Sequence, residues 1–333
     1  MNSTFQDLLQ KFFLKRMINQ KQTSPETVKS YRDTFRIYIE YLNTIHRCPP
    51  HKISLKHIEA EYILGFLEYL DHERGNQAKT INNRLAAVYA FLRFVSFEKP
   101  EYSATVQRGL MIPFRKAEKR QVGFLTKEEI DAFLDACTMK DPLGRRDRVM
   151  VLILYNTGVR VSELLSLKCR DIIFNGSGSE AFIHITGKGR KERSVPLWKT
   201  TALYIKKYID EHDLRQEDKL FLNHTGNELT RSGIRYRIAC LAKKAQKKLP
   251  ELKNKNISPH TFRHSTALHL LQSGVDISTI AIWLGHESIT TTHKYMEADI
   301  EMKQRILEKM AEPSVDGYRY KPSKDILSFL ASL

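Results

Sequence analysis

NTGVRVSELLSLKCRDIIFNGSGSEAFIHITGKGRKERSVPL, residues Asn156–Leu197, is where the periodicity of the chain changes. Just before it, VMVLILY (Val149–Tyr155) is the longest apolar run. It suits a buried helix, since a membrane span needs ~18–20 such residues. Gly158 can take the left-handed conformation that ends this helix, and the next helix begins at once. Arg160 is therefore expected at a tight helix–helix junction. Then the apolar residues alternate. DIIF, AFIHITG and RSVPL read as three short strands separated by GSGS and KGRKE. The second and third form a hairpin whose tip carries Lys188, Arg190, Lys191 and Arg193. On either side of this block the spacing is helical. The expected fold is mainly α with a small three-stranded antiparallel sheet.

The chain has 333 residues, which suggests about two domains. Apolar residues make up 41%, enough for real cores. Lys plus Arg number 54 against 38 Asp plus Glu, a formal charge of +16. Such an excess points to a polyanion, nucleic acid or an anionic membrane surface, because uncompensated charge costs self-repulsion. The N-terminal stretch MNSTFQDLLQKFFLKRM is amphipathic and lacks the apolar core and cleavage site of a signal peptide. Cys48, Cys137, Cys169 and Cys240 are scattered with no C-x-x-C, so neither a disulfide framework nor a cysteine zinc site is expected, and a reducing cytoplasm fits.

The first hundred residues read as helices. Ser24 and Pro25 are a cap and first position, followed by an apolar face of Val28, Tyr31, Phe35, Ile39 and Leu42. In KTINNRLAAVYAFLRFV the first turns are polar and the later ones apolar. Lys79, Thr80, Asn83 and Arg84 are therefore candidates to face a phosphate backbone, the alternative being a solvated helix start. Glu98–Gly123 has two prolines, many basic residues and no sustained period, which reads as a linker. A capping box, Thr126 with Glu129, then opens a new helix. The expected domains are 1–100, a linker over 101–123, a second domain over 124–310 and a tail over 311–333. Arg231 and Arg235, at the helix start TRSGIRYR, are further candidates for phosphate contact or for a solvated face.

Chemistry concentrates after Pro259. If that proline opens a helix, His260 and Arg263 share a face, and such a helix start suits a phosphate. His264 and His269 lie among apolar residues and read as packing groups. A metalloprotease zinc motif would need glutamate where Thr261 stands, so no metal is expected. Further on, Asp276 can cap ISTIAIWL, and Gly285 can end it, leaving His286 in a turn. Ser288 can cap the segment that carries Tyr295.

Taken in order, TGVRVSEL (Arg160, Glu163), GKGRKER (Lys188), HTFRH (His260, Arg263), LGH (His286) and HKY (Tyr295) resemble the tyrosine recombinases, or phage integrase family, in a layout similar to the Xer recombinases and mobile-element integrases. The resemblance runs from about Ser24 to Met310. It implies a two-domain C-shaped clamp on double-stranded DNA, with a helical, SAM-like core-binding domain and a catalytic domain. It implies that Tyr295 attacks the scissile phosphate to give a 3′-phosphotyrosyl intermediate and a free 5′ hydroxyl. Arg160 and Arg263 would stabilise the added negative charge, which a forked guanidinium does better than an ammonium. His260 would transfer protons, His286 would donate to a phosphate oxygen, and Lys188 would be the general acid for the leaving oxygen. Lys188 rather than Lys191 rests on the family pattern. Glu163 would orient its neighbours.

The same resemblance implies no cofactor, and a homo-oligomer that acts as a tetramer on two DNA sites. It allows accessory DNA-bending proteins or a partner recombinase, and no membrane. The tail's apolar cluster, Ile326, Leu327, Phe329 and Leu330, could be exchanged between protomers or dock on its own domain. The expected location is the cytoplasm, at the nucleoid. The rival readings are a type IB topoisomerase-like relaxing enzyme and a catalytically silent DNA-binding regulator.

Overall fold

The computed structural model describes residues 4–117, 123–175, 180–187, 191–286 and 292. Lys188, Tyr295 and the tail over 311–333 lie outside the described residues. The chain divides into two units, 1–120 and 121–333.

In the first unit, α1 (Phe5–Lys11) opens with a capping box between Thr4 and Asp7 and continues in π-helical turns through Phe12–Gln20. The helices α2 (Pro25–Ile45), α3 (Ala60–His72) and α4 (Ala78–Glu98) follow. Ser24 accepts from the Thr27 N–H and Pro25 takes the first position, as expected. An aromatic cluster forms the core: Phe12 meets Phe35, Phe91 and Phe94, and Phe5 meets Phe91 edge-on at 5.7 Å. Edge-on rings align the positive rim of one with the negative face of another, which adds to their burial.

The stretch expected as a linker differs in its first part. Ser103–Leu110 is a helix, α5, and Val106, Gly109 and Ile112 are buried in the first unit's core. Asn82 closes the segment down, donating to the Arg115 carbonyl (2.8 Å) and accepting from the Arg115 N–H (2.9 Å). The prolines at 100 and 113 bracket this helix rather than a loop.

In the second unit, α6 (Lys127–Ala136) starts with the expected Thr126–Glu129 box. In α7 (Pro142–Thr157), Asp141 caps the Gly144 N–H and Val149–Leu154 are buried. Gly158 ends it at φ +60, and a β-carbon there would overlap Leu284 Cδ2, so the chain needs glycine for both conformation and space. The short α8 (Val161–Ser166) follows directly. Strands β1 (Ile172–Asn175), β2 (Glu180–Thr186) and β3 (Glu192–Leu197) pair antiparallel in that order, with Ile183 opposite Val195 and Ile185 opposite Arg193. Asn156 fastens the end of β3 to α7, donating to the Pro196 carbonyl and accepting from the Trp198 N–H.

Then come α9 (Lys199–Glu211), α10 (Arg231–Ala245), α11 (Pro259–Gln272) and α12 (Ile277–Leu284). Helix α11 is buried nearly all round, which places it at the centre of the unit. Thr266 bonds the Tyr155 carbonyl at 2.6 Å, fixing α11 to α7. Helix α10 is anchored by charge: Asp147, wholly buried, accepts from Arg146 (2.7 Å) and from Arg237 (2.6 Å). Among the described residues no helix is long and apolar enough to cross a membrane.

Candidate active site

The site is built around the end of α12. The last carbonyls of a helix lack intrahelical partners and carry the negative end of its dipole. Here three consecutive carbonyls each take a different arginine. Trp283 accepts from Arg193 Nε (3.0 Å), Leu284 from Arg263 Nη2 (2.7 Å), and Gly285 from Arg160 Nη2 (3.0 Å). Gly285, at φ +65, turns the chain out of the helix, and a β-carbon there would lie 2.8 Å from Arg193 Nη1.

Arg263 is 4% exposed. Its Nη1 donates to the Gly158 carbonyl at 2.6 Å, so the guanidinium bridges the turn after α7 and the end of α12. Bonds of this charged kind contribute about 1.5–3 kcal/mol each and offset the cost of burying the ion. Carbonyls orient a guanidinium without cancelling its charge, so it still attracts an anion.

Arg160 occupies the capping position of α8, where the sequence placed it. Its N–H donates to Glu163 Oε2 (3.0 Å) and its Nη1 to Glu163 Oε1 (2.8 Å). Glu163, 3% exposed, also accepts from Arg193 Nη2 at 2.7 Å. Burial alone would raise its pKa. The bonds from Arg193 and the Arg160 main chain outweigh that and hold the carboxyl below its ordinary value. Glu163 thus bonds two arginines at once.

His286 follows Gly285, and its N–H donates to the Ala281 carbonyl at 2.9 Å. Its Nδ1 lies 2.8 Å from Thr292 Oγ1. Burial, then the charges of Arg263, Arg160, His264 and Arg193, push its pKa down to about 4. His260 stands in the first turn of α11, a residue that keeps part of its surface in water. Desolvation, then Arg263, Arg160 and Arg231, lower its pKa as well. Both imidazoles therefore sit in the field of the same arginines and are neutral near pH 7.

Four predicted residues, Arg160, His260, Arg263 and His286, are brought together with Glu163. Arg231, at the exposed start of α10, adds its field at His260, and Arg235 is exposed one turn on. Lys79 and Asn83 are exposed and Thr80 and Arg84 half-buried on α4 of the first unit. His269 is a packing group as read, bonded to the Tyr155 hydroxyl at 2.7 Å. His264 is half-buried and close enough to act electrostatically on His286.

Sequence reasoning left Arg193 among the basic residues of the hairpin. The structure puts its guanidinium inside the site. The signal was the strand alternation, which sets Arg193 on the same inward face as Val195 and Leu197. Thr292 was also passed over, as one of several hydroxyls.

Arginine forks converging with neutral imidazoles are suited to a tetrahedral, multiply charged oxyanion such as a phosphodiester in transition. The Phage integrase family profile matches residues 123–302, and the profile for its N-terminal SAM-like domain matches 11–99. A putative integrase/recombinase, y4rC, of Sinorhizobium fredii (strain NBRC 101917 / NGR234) is 39% identical over 98% of this chain and 97% of its own. Tyrosine recombinase XerD of Listeria monocytogenes serotype 4b (strain F2365) is 32% identical over 85% of this chain and 91% of its own. In fold, the chain is similar to the XerH site-specific recombinase bound to palindromic difH substrate (TM-score 0.67, 24% identity, 87% of this chain and 80% of that one). It is also similar to the Tn1549 transposon integrase in complex with transposon right end DNA (TM-score 0.69, 18% identity, 91% and 99%). The chain belongs to the phage integrase family of tyrosine recombinases.

Proposed function

We propose that this site-specific DNA recombinase cleaves and rejoins strands through Tyr295, with Arg160, Lys188, His260, Arg263 and His286 as the catalytic set. The Tyr295 phenol oxygen forms a bond to the scissile phosphorus, and the bond from phosphorus to the 5′ oxygen breaks. The phenolic proton passes to His260. Lys188 gives a proton to the leaving 5′ oxygen. A second strand's 5′ hydroxyl then reverses these steps, so the energy of the ester is kept. Arg160 and Arg263 neutralise the charge that grows on the non-bridging oxygens, and His286 donates to one of them.

The observation that carries this reading is the anchoring of Arg160 and Arg263 on the adjacent carbonyls of Gly285 and Leu284, immediately before His286. It holds two forks and one imidazole in fixed register before substrate arrives. Such preorganisation costs nothing at the moment of reaction.

The first unit serves as the core-binding domain, with Lys79, Thr80, Asn83 and Arg84 on phosphates, while Arg231 and Arg235 do the same from α10. The acting form is a tetramer on two DNA sites, with the tail over 311–333 exchanged between protomers. XerH, crystallised on its difH substrate, and the Tn1549 integrase, crystallised on transposon end DNA, support duplex DNA as the ligand. The test is a nicked suicide duplex built on a sequence the protein selects from a random pool. Wild-type protein becomes covalently attached and Tyr295→Phe does not. An adduct formed by the phenylalanine variant would overturn the assignment. Lys188→Ala, compared with Lys191→Ala, must show the larger loss, and a 5′-phosphorothiolate leaving group must restore the former alone.

A further inference from the structure

His286 is seated before any substrate binds. Its main chain is tied to Ala281 (2.9 Å) after the turn at Gly285, and its Nδ1 lies 2.8 Å from the hydroxyl of Thr292. Thr292 is 1% exposed and His286 is half-buried. With the ring neutral near pH 7, one nitrogen carries the proton and the other accepts.

A phosphodiester oxygen only accepts. If His286 is to donate to it while neutral, the nitrogen facing the phosphate must hold the proton, and the opposite nitrogen must take a hydrogen bond from elsewhere. The charges of Arg263, Arg160, His264 and Arg193 all act on the ring and favour its neutral form. A threonine hydroxyl can donate to Nδ1, and at 2.8 Å it is within reach.

We propose that Thr292 is a positioning residue: its hydroxyl donates to His286 Nδ1 and so holds the proton on Nε2, the nitrogen that then donates to the scissile phosphate. This rests on the reading of the site given above. Thr292 stands three residues before Tyr295 in the sequence. The segment that delivers the nucleophile therefore also sets the proton on the phosphate-binding histidine. Seating the one prepares the other.

The tautomer is read directly by long-range ¹H–¹⁵N correlation on DNA-free, full-length protein labelled with ¹⁵N-histidine, the His286 signals being identified by their loss in His286→Gln. Wild type and Thr292→Ser should show an accepting Nδ1 and a protonated Nε2. Thr292→Val, which keeps the shape and loses the hydroxyl, should show a mixture or the opposite tautomer. On the suicide duplex, Thr292→Val should form adduct on the order of 100-fold more slowly with unchanged duplex affinity, and Thr292→Ser should recover most of the rate. A wild-type ring protonated on Nδ1 overturns the proposal, and so does a valine variant with wild-type tautomer and rate. The tautomer needs no DNA. A wild-type protein that forms no adduct would instead overturn the recombinase site, and the spectrum would still decide the part played by Thr292.

Discussion

Glu163 and Arg193 meet at 2.7 Å with both side chains almost wholly buried, 4% and 8% exposed. The pair joins the turn end of the β2–β3 hairpin to the start of α8. Removing one partner of such a pair leaves the other charged and dry, which costs about 3–5 kcal/mol. Glu163→Gln should therefore lower the unfolding midpoint in urea. Arg193→Lys keeps the charge and loses the fork that spans Glu163 and the Trp283 carbonyl. We expect near-normal duplex affinity and an adduct rate reduced by up to about 100-fold, the effect of misplacing reacting groups by an ångström. Unchanged single-turnover kinetics would remove Arg193 from the machinery.

Gly158→Ala should be among the more damaging small substitutions. The left-handed conformation costs a non-glycine residue roughly 1–2 kcal/mol, and the new methyl group must displace Leu284 Cδ2. Because Leu284 holds Arg263 through its carbonyl, cleavage should suffer along with stability. Urea unfolding and suicide-substrate kinetics on one preparation test both.

Acid should weaken the fold in two separate windows. His286 is held near 4 when folded against an ordinary 6.5, so between these values the unfolded chain binds the extra proton. Stability then falls as pH drops from 6.5 towards 4. His260 and His269, also lowered, act with the same sign. Glu163 stabilises above its ordinary 4.5 and loses that contribution only as pH falls below it, through the lowered folded value. His286→Gln should flatten part of the upper window, and Glu163→Gln only the lower. Urea midpoints measured from pH 7 to 3.5 separate them.

Affinity for duplex should fall steeply and linearly on a logarithmic salt scale, since a chain of net charge +16 displaces counterions from the backbone. Arg231→Ala and Arg235→Ala should each reduce the slope by roughly 1 if they touch phosphates. Titrations between 50 and 300 mM salt, evaluated as slopes, give the answer.

Much of this was legible in the residues. The change of period at Asp171 announced the sheet, and the caps at Ser24, Thr126 and Asp276 are where the structure has them. Arg160, His260, Arg263 and His286 were marked because their short motifs, in that order, resemble those of the family. The helix Ser103–Leu110 was missed because two prolines and a basic run masked a weak signal, Tyr102, Val106 and Leu110 recurring four apart. The bond between Thr292 and His286 had no local signature at all. It joins residues six apart, a contact that only packing settles.

The three carbonyls at the end of α12 have a consequence for how this site is inherited. They belong to the main chain, and every amino acid supplies one. Exchanging the side chain at 283 therefore leaves the grip on Arg193 in place. What a descendant must keep is a path rather than a set of letters. Deleting one residue within Ile277–Leu284 would rotate the helix end by about 100° and dislocate all three arginines together. Position 283 should vary freely, while the length of the helix should hardly vary at all.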